Sequence, residues 1–420
     1  MKSPFHRRAP SFDAEAINQT IRRALASAGL DPAAYPMHSV NETIRQALGA
    51  AGITSGKAGW VAEDAVADFV DVVDIVDAVD IVDVDARVVE VRPQAPVEPS
   101  RRPPGDEPGA PAGSFRSFHY GHGVSARTYK LFVPAQVASA PPLIVMLHGC
   151  TQSADDFAAG TRMNRLAAEH GFLVVYPEQT TAANPSKCWN WFKAPDQVRD
   201  AGEPALIAGM VREVAAGHGV DTRRIFVAGL SAGAAMAVIL GETYPELFAG
   251  VGAHSGLPYR SAHDIPSAMV AMKGGRSGIE SLKAAAGPAR PAATRPAAEP
   301  RSALTQAVPT IVFHGDRDHT VQLSNSIQIA QQARNAHAAT GAAALRVSTE
   351  RAASAAGRAY SRSVYADGAG QTRVETWTVH GAGHAWAGGS SSGSYTDARG
   401  PDASAEMLRF FLSVPRAGSA

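Results

Sequence analysis

From residue 127 onward the chain alternates short, unbroken apolar runs with helix-length stretches, and few folds accommodate that alternation. Residues 127–133 read as a strand, and residues 143–147 (Leu-Ile-Val-Met-Leu) as one with no polar position. Residues 172–176 and 225–228 follow, with further candidates at 249–253, 310–313 and 374–379. The stretches 155–170, 205–218 and 232–244 between them read as helices. A strand apolar on both faces has to be covered on both, which places helices above and below a mostly parallel central sheet. The predicted class is therefore α/β. With 420 residues, 45% of them hydrophobic, the chain can bury a sizeable core. We expect the folded domain over residues 113–415, carrying an Ala/Pro/Gly-rich surface excursion near 274–301.

Residues 1–112 have a different character. Ile17-Asn18-Gln19-Thr20-Ile21-Arg22-Arg23-Ala24-Leu25 is echoed by Val40-Asn41-Glu42-Thr43-Ile44-Arg45-Gln46-Ala47-Leu48. Each copy places its apolar residues on one helical face and runs to a glycine, Gly29 or Gly52. Helices this short are marginal alone. They pack on each other or on the main domain, or they dock on a polymer surface, a membrane face or a protein partner. Next, Asp68, Asp71, Asp74, Asp77, Asp80 and Asp83 recur every third residue, a period that fits neither strand nor helix. The tract lacks the alternate-residue oxygens, glycine and closing glutamate of a calcium loop, so a largely disordered linker is expected. A Pro-rich connector then leads to the domain.

Composition removes several function classes. Lys+Arg and Asp+Glu both total 39, so there is no basic excess for nucleic acid. No run of about 18 apolar residues predicts a transmembrane helix. Residues 1–10 lack the apolar stretch of a secretory signal, which points to a cytoplasmic protein. Two cysteines cannot build a four-cysteine zinc site, and no metal or cofactor is expected. The pattern carries no signal for oligomeric state.

The chemistry concentrates at strand ends. Gly229-Leu230-Ser231-Ala232-Gly233 follows one predicted strand and opens a predicted helix, the setting a nucleophile elbow requires. A serine hydroxyl is a poor nucleophile near neutral pH, so it needs a histidine base and a carboxylate to orient that base. In this arrangement both come later, carboxylate first, each on a loop after a strand. His314-Gly315-Asp316-Arg317-Asp318 and His380-Gly381-Ala382-Gly383-His384 meet those conditions. Asp318 lies deeper in its loop than Asp316, which is expected to cap the turn or pair with Arg317. His384 sits in a turn that can bend it toward Ser231, whereas His380 lies at the strand end. Leu147-His148-Gly149-Cys150 closes an early strand, where one of two oxyanion amides belongs. The backbone N–H groups of Cys150 and Ala232 are the expected donors, with His148 holding the loop. Trp189, Trp191, Phe192, Tyr259 and Trp386 are candidates to line an apolar substrate cleft. Cys150 and Cys188 either bridge, pinning this aromatic segment beside the oxyanion loop, or remain buried thiols.

Over residues 114–412 the sequence resembles the polyhydroxybutyrate (PHB) depolymerase family of esterases, a branch of the α/β-hydrolases. The resemblance rests on the ordered set Leu147-His148-Gly149-Cys150-Thr151-Gln152, Cys188-Trp189-Asn190-Trp191, Gly229-Leu230-Ser231-Ala232-Gly233, His314-Gly315-Asp316-Arg317-Asp318, Gly383-His384-Ala385-Trp386 and Gly400-Pro401-Asp402-Ala403. It implies an α/β-hydrolase fold with Ser231 as nucleophile, Asp318 as orienter and His384 as base, and a pairing of Cys150 with Cys188. It further implies an ester substrate, short-chain polyhydroxyalkanoates in the first place and feruloyl or acetyl esters of plant polysaccharides in relatives. A hydrophobic polyester surface is then a possible partner of the chain. The competing class, a granule- or surface-binding protein with little activity, makes no use of the three converging side chains.

Overall fold

The computed structural model describes residues 111–121, 126–274 and 307–415. The paired helices, the aspartate tract, nearly all of the Pro-rich connector and residues 275–301 of the excursion lie outside the described residues.

The strands in chain order are β1 (Gly113–Tyr120), β2 (Arg127–Pro134), β3 (Leu143–Leu147), β4 (Leu173–Pro177) and β5 (Ile225–Leu230). They continue with β6 (Gly250–His254), β7 (Thr310–Gly315), β8 (Arg346–Ala353), β9 (Ala359–Ala366) and β10 (Thr372–Val379). All ten join one sheet in the order β1-β2-β4-β3-β5-β6-β7-β10-β9-β8. The six strands from β4 to β10 in that order are parallel, and antiparallel pairs extend the sheet at both edges. The pair β11 (Trp386–Ala387) and β12 (Thr396–Asp397) stands apart.

The helices are α1 (Ala154–Thr161), α2 (Met163–His170), α3 (Gly202–His218), α4 (Ala232–Thr243), α5 (Ile265–Met272), α6 (Ser324–Ala339) and α7 (Ala403–Ser413). Alternate residues of one strand enter different cores, as the period of two demands. Leu143, Val145 and Leu147 of β3 pack with residues of α3 and α4, while Ile144 and Met146 pack with residues of α1, α2 and α7. All five side chains are buried, which is why this run has no polar position. The mostly parallel sheet, covered on both faces, is the α/β-hydrolase architecture that the sequence predicts.

The structure adds β1, α5, α6, α7 and the β11–β12 pair to the elements read from sequence, and it differs from that reading at two further points. The single helix expected over 155–170 is broken at Arg162, whose φ is +55°. Distant chain supplies the reason: the Gly160 carbonyl accepts the Ser390 amide at 2.8 Å, and the Arg162 guanidinium donates to the Gly388 carbonyl at 2.6 Å. The hairpin of β8 and β9 was not foreseen, because β8 is exposed along its whole length and carries no apolar alternation. Among the described residues no helix is long and apolar enough to cross a membrane.

Candidate active site

Parallel strands end on one side of a sheet, so the loops after β3, β5, β6, β7 and β10 share one edge. Ser231 stands between β5 and α4 with φ +57° and ψ −119°. So sharp a turn leaves no room for flanking side chains. A Cβ on Gly233 would overlap the Leu147 carbonyl, and one on Gly229 would overlap the Gly233 backbone. Both glycines of the motif are therefore dictated by close approach of backbone.

Asp318 and His384, placed 66 residues apart in sequence, meet at 2.6 Å between Oδ2 and Nδ1. The other carboxylate oxygen of Asp318 accepts the Thr320 amide at 2.9 Å and the Val321 amide at 2.8 Å. Burial pushes the Asp318 carboxyl up, but the His384 hydrogen bond, the His384 charge and the Val321 amide outweigh it and hold it below the usual carboxylate range. An ionised Asp318 makes His384 Nδ1 the donor and leaves Nε2 free to accept a proton. Among the described residues neither Ser231 Oγ nor His384 Nε2 makes a hydrogen bond. Such bonds often close only around substrate.

The amides of Cys150 and Ala232 likewise donate to nothing among the described residues. The loop around Cys150 is heavily braced. His148 donates from Nδ1 to the Gly149 carbonyl at 2.7 Å and accepts the Gln179 amide on Nε2 at 3.0 Å. The Gly149 amide donates to Gln152 Oε1 at 2.9 Å. Cys150 is disulfide-bonded to Cys188. Two residues on, Asn190 is gripped by buried Glu203, which accepts its amide and its Nδ2, each at 2.7 Å. In the chain-entropy view a bridge closing a loop of this length contributes about 4 kcal/mol. Cys188→Ser is expected to lower Tm by about 5–10 °C and to reduce kcat by loosening the Cys150 amide. An unchanged Tm would mean that the bridge carries no such constraint; differential scanning calorimetry checks it.

The tryptophans correct the sequence reading. Trp189 and Trp386 are 0% and 1% exposed, and Trp191 is buried as well, so none lines an open cleft. Trp189 packs 5.7 Å from the His148 ring. Trp386 stacks on His254 at 5.2 Å and donates from Nε1 to Ser404 at 3.1 Å. Its backbone pairs with Thr396 in β11–β12. Tyr259 is half-buried, and its hydroxyl donates to the Gln197 carbonyl at 2.9 Å. Asp316 is also corrected: its carboxylate takes His380 Nδ1 at 2.9 Å and the Gly381 amide at 2.6 Å, rather than Arg317. His380 Nε2 in turn meets Ser361 Oγ at 2.9 Å. Ser361 lies within β9, paired with Thr378 of β10 and Arg351 of β8, and not in a turn that opens a helix. The chain of bonds clamps the aspartate loop to the histidine loop.

Sequence reading missed His254 altogether. Its carbonyl accepts the Ser231 amide at 2.9 Å, and its Nε2 accepts the Ala387 amide at 3.0 Å, three residues past His384. One residue at the end of β6 thus ties the serine turn to the histidine loop. Burial lowers the His254 pKa to about 3 and that of His148 to about 4. Both rings are neutral acceptors, and a proton on Nε2 would face an N–H. Because these folded values lie below the unfolded value of about 6.5, the stability they contribute is fully present above that pH. It is lost as pH falls from there toward 4 and 3. Tm is expected to drop over this window, with activity following; a flat Tm down to pH 4 would contradict it. Among the described residues no group of three or more His, Cys, Asp or Glu could hold a metal ion.

The esterase PHB depolymerase family matches residues 127–355. The chain belongs to that family. Ser231 and Asp318 lie within the matched residues and His384 beyond them. Similar proteins include poly(3-hydroxyalkanoate) depolymerase C of Paucimonas lemoignei, 34% identical over 252 residues, which are 60% of this chain and 56% of the relative. Feruloyl esterase B of Neurospora crassa is 35% identical over 129 residues, 30% of this chain and 43% of the relative. The probable acetylxylan esterase A of Aspergillus fumigatus is 32% identical over 141 residues, 33% of this chain and 37% of the relative. This family member therefore spans about half the length, or less, of these curated relatives. Among solved structures, the acetyl xylan esterase from Aspergillus awamori shares its fold, with a TM-score of 0.52 and 20% identity. That match covers 72% of this chain and all of the other.

Proposed function

We propose that the protein is a serine carboxylic-ester hydrolase working through an acyl-enzyme, with short-chain polyhydroxyalkanoates as its substrate class. The observation that carries this reading is the Asp318–His384 pair at 2.6 Å, on the sheet edge where Ser231 stands in its strained turn. As His384 Nε2 removes its proton, Ser231 Oγ attacks the ester carbonyl carbon. Asp318 stabilises the imidazolium that results. The oxyanion rests on the Cys150 and Ala232 amides, each such donor being worth ~2.7–4 kcal/mol in the transition state. Collapse breaks the bond to the alcohol, which takes the proton from His384. Water then adds to the acyl carbon, giving its proton to His384, and the acid and free Ser231 are released.

The depolymerase relative aligns over the longest stretch of the three, which supports the polyhydroxyalkanoate class over feruloyl and acetyl-xylan esters. Adsorption to a hydrophobic polyester surface belongs to the same reading. The test is one purified sample offered polyhydroxybutyrate film, a feruloyl ester and acetyl xylan. Release of hydroxybutyrate from the film well above the other two rates is expected. Preference for either sugar-linked ester reassigns the substrate, and inertness toward all three, together with a p-nitrophenyl ester, removes the hydrolase reading.

A further inference from the structure

Among the described residues, Tyr395 is a large aromatic beside the site that the fold holds outward. It is 47% exposed, and its φ is +52°, a left-handed backbone that a bulky side chain rarely adopts. Its carbonyl accepts the Trp386 amide at 2.7 Å, two residues past His384. On the other side its hydroxyl lies 3.3 Å from Thr151 Oγ1, next to Cys150, and Thr151 is itself left-handed at φ +66°. The tyrosine therefore spans the gap between the oxyanion loop and the histidine loop. Its neighbours leave the backbone no freedom. Ser394 donates its amide and hydroxyl to Asp156 at 2.8 and 2.6 Å, and Thr396 pairs with Trp386 in β11–β12. A core contact would explain a strained backbone if it buried the residue, but here nearly half of the tyrosine remains exposed. Backbone strain held in place by its surroundings, at a residue that stays open to solvent, is a mark of functional positions.

We infer that Tyr395 contacts substrate, and that its ring forms the wall against which the chain flanking the scissile ester packs. This rests on the hydrolase reading above. A pre-positioned aromatic face offers apolar area at small entropic cost, which suits the methyl-bearing aliphatic repeat of a hydroxyalkanoate. A substrate without a flanking chain, such as p-nitrophenyl acetate, gains little from it. Tyr395 thus sets selectivity for oligomer over simple ester.

The test compares the wild type with Tyr395→Gly and Tyr395→Phe on p-nitrophenyl acetate and on a trimer of 3-hydroxybutyrate. Glycine accepts the left-handed backbone without strain, so loss of the ring is separated from loss of the fold, and Tm should hold or rise. The expected result is a fall of at least about fivefold in the trimer-to-acetate ratio of kcat/KM for Tyr395→Gly, carried by KM for the trimer. Tyr395→Phe keeps the ring and should stay within about twofold of the wild-type ratio. An unchanged ratio in Tyr395→Gly, or equal losses on both substrates in step with a lowered Tm, overturns the inference. If the wild type hydrolyses neither ester, the hydrolase reading itself fails. If it hydrolyses both and the ratio ignores the ring, only the role of Tyr395 falls.

Discussion

Replacing Ser231 with alanine is expected to lower kcat on a soluble p-nitrophenyl ester by about 10⁶-fold, with KM little changed. Among the described residues no other hydroxyl stands in a strand–turn–helix elbow at this sheet edge, so the proposed nucleophile has no substitute there. What survives is whatever the Cys150 and Ala232 amides achieve by themselves, roughly 10³-fold over water. The fold should be indifferent to the change. Ser231 makes no side-chain cap to α4, and alanine occupies its positive φ no worse than serine does. Steady-state kinetics with a parallel melting curve separate the two effects. A variant keeping a few per cent of wild-type turnover at unchanged Tm would mean that Ser231 is not the attacking group.

The second large effect belongs to Asp318→Asn, for which a loss of about 10⁴-fold in kcat is expected. The local hydrogen bonds decide which way the new amide turns. Thr320 and Val321 both donate to Oδ1, so the asparagine oxygen stays with them. Its NH₂ group is then aimed at His384 Nδ1, where a donor previously met an acceptor. The imidazole responds by carrying its proton on Nε2, the nitrogen that should receive the serine proton. Asp316→Asn, by contrast, loosens only the clamp to His380 and Gly381 and should cost far less. Equal losses from the two substitutions would dissolve the distinction between the inner and outer pairs.

Much of this site is written in local patterns. Gly229 and Gly233 signal a turn too tight for a Cβ, and unbroken apolar runs signal buried strands whose loops then share an edge. Asp318 and His384 follow from those loops in order. The parts that sequence did not disclose depend on what distant chain does. Trp189 and Trp386 look alike on paper whether they face substrate or core, and only the fold shows them buried, against His148 and His254. The break at Arg162 is made by residues 388 and 390, far outside any helical window. His254 acts through its carbonyl and one ring nitrogen toward two separate loops, a role with no sequence spacing of its own. β8 hid because an exposed edge strand needs no apolar face.

The most direct test is to treat the wild type with a fluorophosphonate, which phosphonylates an activated serine, and to locate the adduct by peptide mass spectrometry. One adduct per chain, on the peptide containing Ser231 and appearing at the rate at which ester hydrolysis is lost, is the expected result. Full inactivation with the label on another residue, such as Ser361 beside His380, or undiminished hydrolysis with Ser231 fully labelled, would contradict the account.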